Sequence, residues 1–116
     1  MDVWRVGIIG FGMIGKVHAY GYAVLPFISD PVPLRARIVR VATARPETAR
    51  RAAEQLGCEW TTDYRQITEA PEIDIVHICT PNHLHCEALL SAIRHGKHIY
   101  CDKPLVANWA EAEQIL

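Results

Sequence analysis

The chain has 116 residues, enough for one domain and one modest core. Half of its residues are hydrophobic and its formal net charge is −1, which excludes a disordered chain and leaves no broad electrostatic case for nucleic acid or an acidic membrane as partner. No apolar run reaches the ~18 residues of a membrane span, and Met1–Arg5 does not lead from a basic region into a long apolar stretch with a small-residue cleavage site, so no signal peptide is expected.

Residues 3–9 are apolar with almost no alternation, as in a strand covered on both faces of a parallel sheet. The run ends in Gly10-Phe11-Gly12-Met13-Ile14-Gly15, with glycines spaced G-x-G-x-x-G. Gly10 lets the chain turn sharply off the strand, Gly12 leaves room for a pyrophosphate, and Gly15 lets the following helix pack closely. The free N–H groups and positive dipole end of that helix favour an anion in the turn. This spacing also occurs in ordinary tight turns, so its context has to carry it. Residues 13–25 read as a helix ended by Pro26, and the three prolines within 26–33 suggest a rigid surface loop. A second strand follows at 36–43.

Pro46-Glu47 opens a helix, with proline at a first helical position and glutamate complementing the dipole, and Gly57 closes it. Residues 58–61 form a short strand, Asp63 to about Ala70 a helical turn, and 73–79 a fourth strand. Thr80-Pro81-Asn82 is a loop. A helix covers roughly 83–95 and stops at Gly96, a fifth strand occupies 97–101, and Asp102-Lys103-Pro104-Leu105 follows. Asn108 caps the last helix, with Glu111 three residues on as in a capping box. Strands alternating with helices imply an α/β fold: a Rossmann-like doubly wound parallel sheet with right-handed crossovers. No linker divides the chain. The glycine motif follows the first strand and opens a helix within a βαβ unit, which is the context dinucleotide binding requires.

Cys58, Cys79, Cys86 and Cys101 form no C-x-x-C pair, and Cys79 and Cys101 end apolar runs; reduced thiols in a cytoplasmic protein are expected. His83 and His85 form an H-x-H pair at a helix start, but residues i and i+2 do not share a helix face and no third ligand is at suitable spacing, so no metal is expected. His77, inside a buried strand, reads as a hydrogen-bonded core residue. His18, on the first helix, faces either the substrate side or the packing.

Three stretches together resemble the N-terminal part of the Gfo/Idh/MocA oxidoreductases, relatives of glucose–fructose oxidoreductase and inositol dehydrogenase. They are Gly10–Gly15, Ile75-Val76-His77-Ile78-Cys79-Thr80-Pro81-Asn82-His83-Leu84-His85, and Gly96-Lys97-His98-Ile99-Tyr100-Cys101-Asp102-Lys103-Pro104-Leu105. The resemblance covers essentially the whole chain. It implies a domain that binds NAD(H) or NADP(H) and takes part in moving a hydride to or from sugars, cyclitols and related compounds. It places the glycine turn, including Phe11, Met13 and Ile14, on the cofactor. It sets Thr80, Pro81, Asn82 and His85, preceded by Cys79, along the dinucleotide, and puts Asp102, Lys103 and Pro104 beside it. Lys103 is then the catalytic candidate: an ammonium near the nicotinamide and the reacting hydroxyl, following the strand edge where ligands bind in open α/β sheets. A small-molecule substrate and, for a full-length protein, a homo-oligomer are implied as well.

The sequence departs from the family pattern in three places. Asp102 stands where glutamate is usual, keeping the charge on a shorter side chain. Thr43 occupies the end of the second strand, where an acidic residue usually meets the ribose 2′-OH. A hydroxyl there with Arg45 nearby would accept a 2′-phosphate, so NADP(H) is preferred to NAD(H), with Thr43 and Arg45 as contacts. Thr43 also lies further from Gly10 than the ~20 residues of the standard fingerprint, an excess that the proline-rich segment accounts for. Finally, the family's second α/β domain has no counterpart here. Residues 1–116 are expected to be an N-terminal NAD(P)-binding piece without turnover by itself. The competing reading is a non-catalytic dinucleotide sensor on the same fold, since fold does not fix function.

Overall fold

The computed structural model describes residues 3–28, 35–81, 85–101 and 108–115. Ten elements alternate along it: β1 (Val3–Ile9), α1 (Met13–Ile28), β2 (Arg35–Ala42), α2 (Pro46–Leu56), β3 (Glu59–Thr61), α3 (Arg65–Thr68), β4 (Ile75–Ile78), α4 (His85–Arg94), β5 (His98–Cys101) and α5 (Trp109–Ile115). The strands form one parallel sheet in the order β3-β2-β1-β4-β5. The order reverses between β1 and β4, so the chain winds first one way and then the other and coats both faces with helices. This is the doubly wound fold expected from the alternation of elements.

Two cores follow from the two faces. Val6, Ile8 and Val41 pack under α1 and α2 with Ala19, Ala52 and Ala53. Ile9, Val76 and Ile78 pack under α3 and α4 with Ile67, Ile73 and Leu89. Neighbouring residues of β1 therefore serve opposite cores, which is why the strand shows no polar alternation. Alanines on α2 let that helix sit low on the sheet. Arg40, inside β2, is held by Glu59 and Glu72 at 3.0 and 3.2 Å and by the Gln66 carbonyl.

Several boundaries differ from the sequence expectation. Helix α1 runs through Pro26 to Ile28 instead of stopping before it. Proline's fixed φ suits a helix, and in the last turn it removes only one backbone hydrogen bond. The remaining residues of the expected proline-rich loop, 29–33, lie outside the described residues. β4 begins at Ile75 and not at 73, because Asp74 is engaged otherwise. Its carboxylate and N–H both bond the backbone of Arg5, and its carbonyl accepts from His98. Gly57 caps helix α2 after Leu56; its φ of 68° lets its N–H return to the Ala53 carbonyl at 2.8 Å. The Glu111 N–H donates to Asn108 Oδ1 at 2.9 Å, as a cap. None of the four cysteines is in a disulfide. Among the described residues no helix is long and apolar enough to cross a membrane.

Between α3 and α4 the hydroxyls of Thr68 and Ser91 bond each other at 2.7 Å in a buried contact. Replacing Thr68 by Val keeps the shape but strands the Ser91 hydroxyl. Urea unfolding should show a loss of about 1–3 kcal/mol with an unchanged denaturant slope.

Candidate functional site

The glycine turn sits where the sheet order reverses. Gly10 has a φ of +91°, which excludes an ordinary side chain. A Cβ there would also lie 2.7 Å from the Cys79 carbonyl oxygen and 3.0 Å from the Thr80 nitrogen. The Gly10 N–H donates to Ala42 O at 2.7 Å and the Cys79 N–H to Ile9 O at 2.8 Å. The ends of β1, β2 and β4 are thus drawn together around one residue without a side chain. A Cβ at Gly15 would overlap the Gly10 carbonyl oxygen, so its close approach is to the turn itself more than to the sheet. Nothing lies within 4 Å of a Cβ built on Gly12, so the space over that backbone is open. Lys16 Nζ lies 5.9 Å from the centre of the Phe11 ring. Met13 and Ile14 expose their side chains at the lip.

A cleft of about 280 Å³ opens beside the turn, walled by Ala42, Thr43 and Ala44 from the end of β2, Thr80 and Pro81 after β4, and Glu87 and Ala88 of α4. Its lining is mostly apolar. Thr80 Oγ1 is buried with no hydrogen-bond partner among the described residues, whereas buried hydroxyls are ordinarily paired. His85 is fully buried, and its Nε2–H donates to the Thr80 carbonyl at 2.6 Å; Cys101 Sγ lies 3.8 Å from its Nδ1. His85 therefore bears on the cleft through Thr80 and does not face it. The Thr43 and Thr48 hydroxyls lie 2.6 Å apart, and each is 3.0 Å from the Arg45 carbonyl. The exposed Arg45 guanidinium has Glu47 at 3.8 Å.

On the other face of the sheet a second group forms under α1. His18 Nδ1 is 2.9 Å from His77 Nδ1 and 3.3 Å from Cys79 Sγ, and His77 Nε2 is 2.5 Å from the Tyr22 hydroxyl. The His77 ring stacks on Tyr100 at 5.3 Å. His77 is thus the hydrogen-bonded core histidine expected, and His18 packs against it. Their joint cluster with Tyr22 was not anticipated. Its trace in the sequence is a pair at i and i+4 on a helix (His18, Tyr22) facing His77 on β4 and Cys79 just past its end. Among the described residues no cluster of His, Cys, Asp and Glu could hold a metal. His83, Asn82, Asp102, Lys103 and Pro104 lie outside the described residues.

Burial, and secondarily the neighbouring His18, lowers the His77 pKa from 6.5 to about 4. Burial raises that of Tyr22. Between those two His77 values the unfolded chain binds the extra proton, so stability rises with pH across the window and is lost as pH falls from 6.5 towards 4. The whole effect is worth about 3 kcal/mol. Urea unfolding followed from neutral to acid pH should show this loss, and His77→Gln should flatten it.

Comparison with known proteins agrees with this geometry. The profile of the GFO_IDH_MocA oxidoreductase family, with its NAD-binding Rossmann fold, matches residues 4–116. Levoglucosan dehydrogenase of Pseudarthrobacter phenanthrenivorans is 43% identical over 97% of this chain and 29% of its own length. Myo-inositol 2-dehydrogenase of Thermotoga maritima is 30% identical over 97% of this chain and 31% of its own. The solved structure of a levoglucosan dehydrogenase in complex with NADH superposes with a TM-score of 0.94 at 40% identity, covering 98% of this chain and 31% of that one. The chain thus spans under a third of the relatives it matches. It belongs to the Gfo/Idh/MocA family of oxidoreductases, as an NAD-binding Rossmann fold.

Proposed function

We propose that residues 1–116 are the NAD(H)-binding part of a dehydrogenase that moves a hydride between the nicotinamide ring and a CH–OH carbon of a sugar, cyclitol or related small molecule. The observation that carries the reading is the unpartnered, buried Thr80 Oγ1 in an apolar cleft beside the open backbone of Gly12. A dinucleotide suits that combination. Ala42, Ala44, Pro81 and Ala88 offer apolar walls to a purine, the Thr80 hydroxyl offers a polar contact, and Gly12 with the first N–H groups of α1 receives a pyrophosphate. When bound, the nicotinamide supplies or accepts the hydride. The relatives named for activity on levoglucosan and inositol support the substrate class. Phe11, Met13 and Ile14 border the cofactor, with Cys79, Asn82, Asp102 and Pro104 along its nicotinamide side. His85 holds Thr80 in place. Lys103 donates to the reacting oxygen and stabilises the charge that develops there. The substrate contacts and acid/base partners belong to the part of the protein beyond this domain.

The NADP(H) preference expected from Thr43 and Arg45 receives no support from the relatives: the levoglucosan dehydrogenase structures solved as cofactor complexes hold NADH. We read the site as selecting NAD(H). The Thr43 and Thr48 hydroxyls gather around the Arg45 carbonyl, and Glu47 beside the Arg45 guanidinium offsets positive charge that a 2′-phosphate needs.

Titration by nicotinamide fluorescence should give NADH at least ~10-fold tighter binding than NADPH; tighter NADPH binding refutes the choice. Gly12→Ala should leave thermal stability unchanged, because its Cβ meets nothing, yet weaken NADH about tenfold or more by filling the space over the turn. Lys103→Ala in the complete enzyme should abolish most turnover while keeping NADH affinity. A protein with no turnover towards sugars and polyols, but with intact binding, would be a sensor instead.

A further inference from the structure

The dinucleotide site has two halves, and the cleft described above is only one. In a doubly wound sheet the first βαβ unit holds the adenosine side, at the end of β2, and the nicotinamide side falls beyond the reversal, towards β4 and β5. The His18 ring lies on that second side. It touches Cys79 at the end of β4, and its centroid is 4.7 Å from that of Tyr100 on β5. Ile14, one helical turn earlier on α1, is at the lip of the glycine turn.

The hydrogen bonds set the polarity of this ring. Two Nδ1 atoms 2.9 Å apart share one proton, which leaves two arrangements. If His18 donates to His77, then His77 Nε2–H donates to Tyr22, and the Tyr22 O–H has no acceptor among the described residues. If His77 donates to His18, then the Tyr22 O–H donates to His77 Nε2, both of these protons have acceptors, and the proton left open is the outer one on His18 Nε2. The second arrangement satisfies the half-buried phenol. It leaves His18 Nδ1 an acceptor and puts the His18 proton on Nε2, on the side of the ring away from His77.

We propose that His18 contributes an Nε2–H donor to the nicotinamide half of the cofactor site, for the carboxamide oxygen, with Tyr22 and His77 as positioning residues that hold that tautomer. The assignment rests on the dinucleotide reading above.

The test compares NADH with ADP-ribose, which carries the adenosine and pyrophosphate but no nicotinamide. His18→Leu should weaken NADH about five- to tenfold and leave ADP-ribose unchanged, and His18→Gln, which keeps a donor, should recover part of the loss. Tyr22→Phe should weaken NADH less, and should shift the nitrogen-15 signals of His18 towards mixed tautomers, a change that a purely packing role would not produce. Melting temperatures identify any variant that fails to fold, and in that case the Tyr22→Phe tautomer readout decides. Equal weakening of NADH and ADP-ribose, or no change in either, overturns the assignment. If the unaltered protein binds neither compound, the dinucleotide reading itself fails. If it binds both and His18→Leu does not change their ratio, only the role of His18 fails.

Discussion

The close approach of Gly10 to the backbone of Cys79 and Thr80 is the constraint on which the rest of the molecule depends. It needs a residue with no Cβ for two independent reasons: the positive φ and the carbonyl 2.7 Å from where a Cβ would be. With Gly10 in place, β1 and β4 end side by side, the Gly10 N–H reaches across to β2, and the chain turns into α1 over the Gly10 carbonyl. The same contact leaves the space above Gly12 empty and brings the Thr80 hydroxyl to the wall of the cleft. The cleft at the carboxyl edge is thus a direct consequence of how three strand ends are joined.

The two faces of the sheet are finished differently. Under α3 and α4 the core is apolar up to the carboxyl edge; buried Thr68, Ser91 and His85 are each tied to a neighbour, and at the cleft Thr80 Oγ1 has no partner among the described residues. Under α1 the core is apolar only as far as Ile8 and Val41. Towards β4 and β5 it gives way to His77, Tyr22, His18 and Tyr100, joined by hydrogen bonds and ring contacts. Burial, and secondarily the neighbouring His18, lowers the His77 pKa, and its partners hold both ring nitrogens. The apolar cleft suits a purine, and the polar cluster suits a ring bearing an amide and, when oxidised, a charge. That asymmetry matches the two ends of a dinucleotide.

Every strand and helix among the described residues is legible in the sequence to within a few residues. Apolar runs bounded by Gly and Pro mark the strands, and Pro46 with Gly57 and Asn108 with Glu111 mark helix ends through local chemistry that needs no partner. Boundaries set by distant groups were not legible. β4 starts late because Asp74 is held by Arg5 and His98, and α1 continues past Pro26 because a last-turn proline removes only one hydrogen bond. Within the site, the glycine turn could be located from spacing and Thr80 from the family resemblance. The part played by His85 could not, because its burial behind Thr80 depends on how α4 packs on the sheet.

The sequence by itself determined the order of strands and helices, the parallel sheet, the glycine turn and the family, because these follow from periodicity, turn residues and motifs that act within a few positions of one another. Only the tertiary structure decided that Gly10 must admit the Cys79 carbonyl, that Thr80 Oγ1 lacks a partner among the described residues, and that His18, Tyr22 and His77 form one line of hydrogen bonds. Those groups are some 55 to 70 residues apart along the chain. Whether they meet depends on strand register and helix packing across the reversal of the sheet, which no local pattern in the sequence encodes.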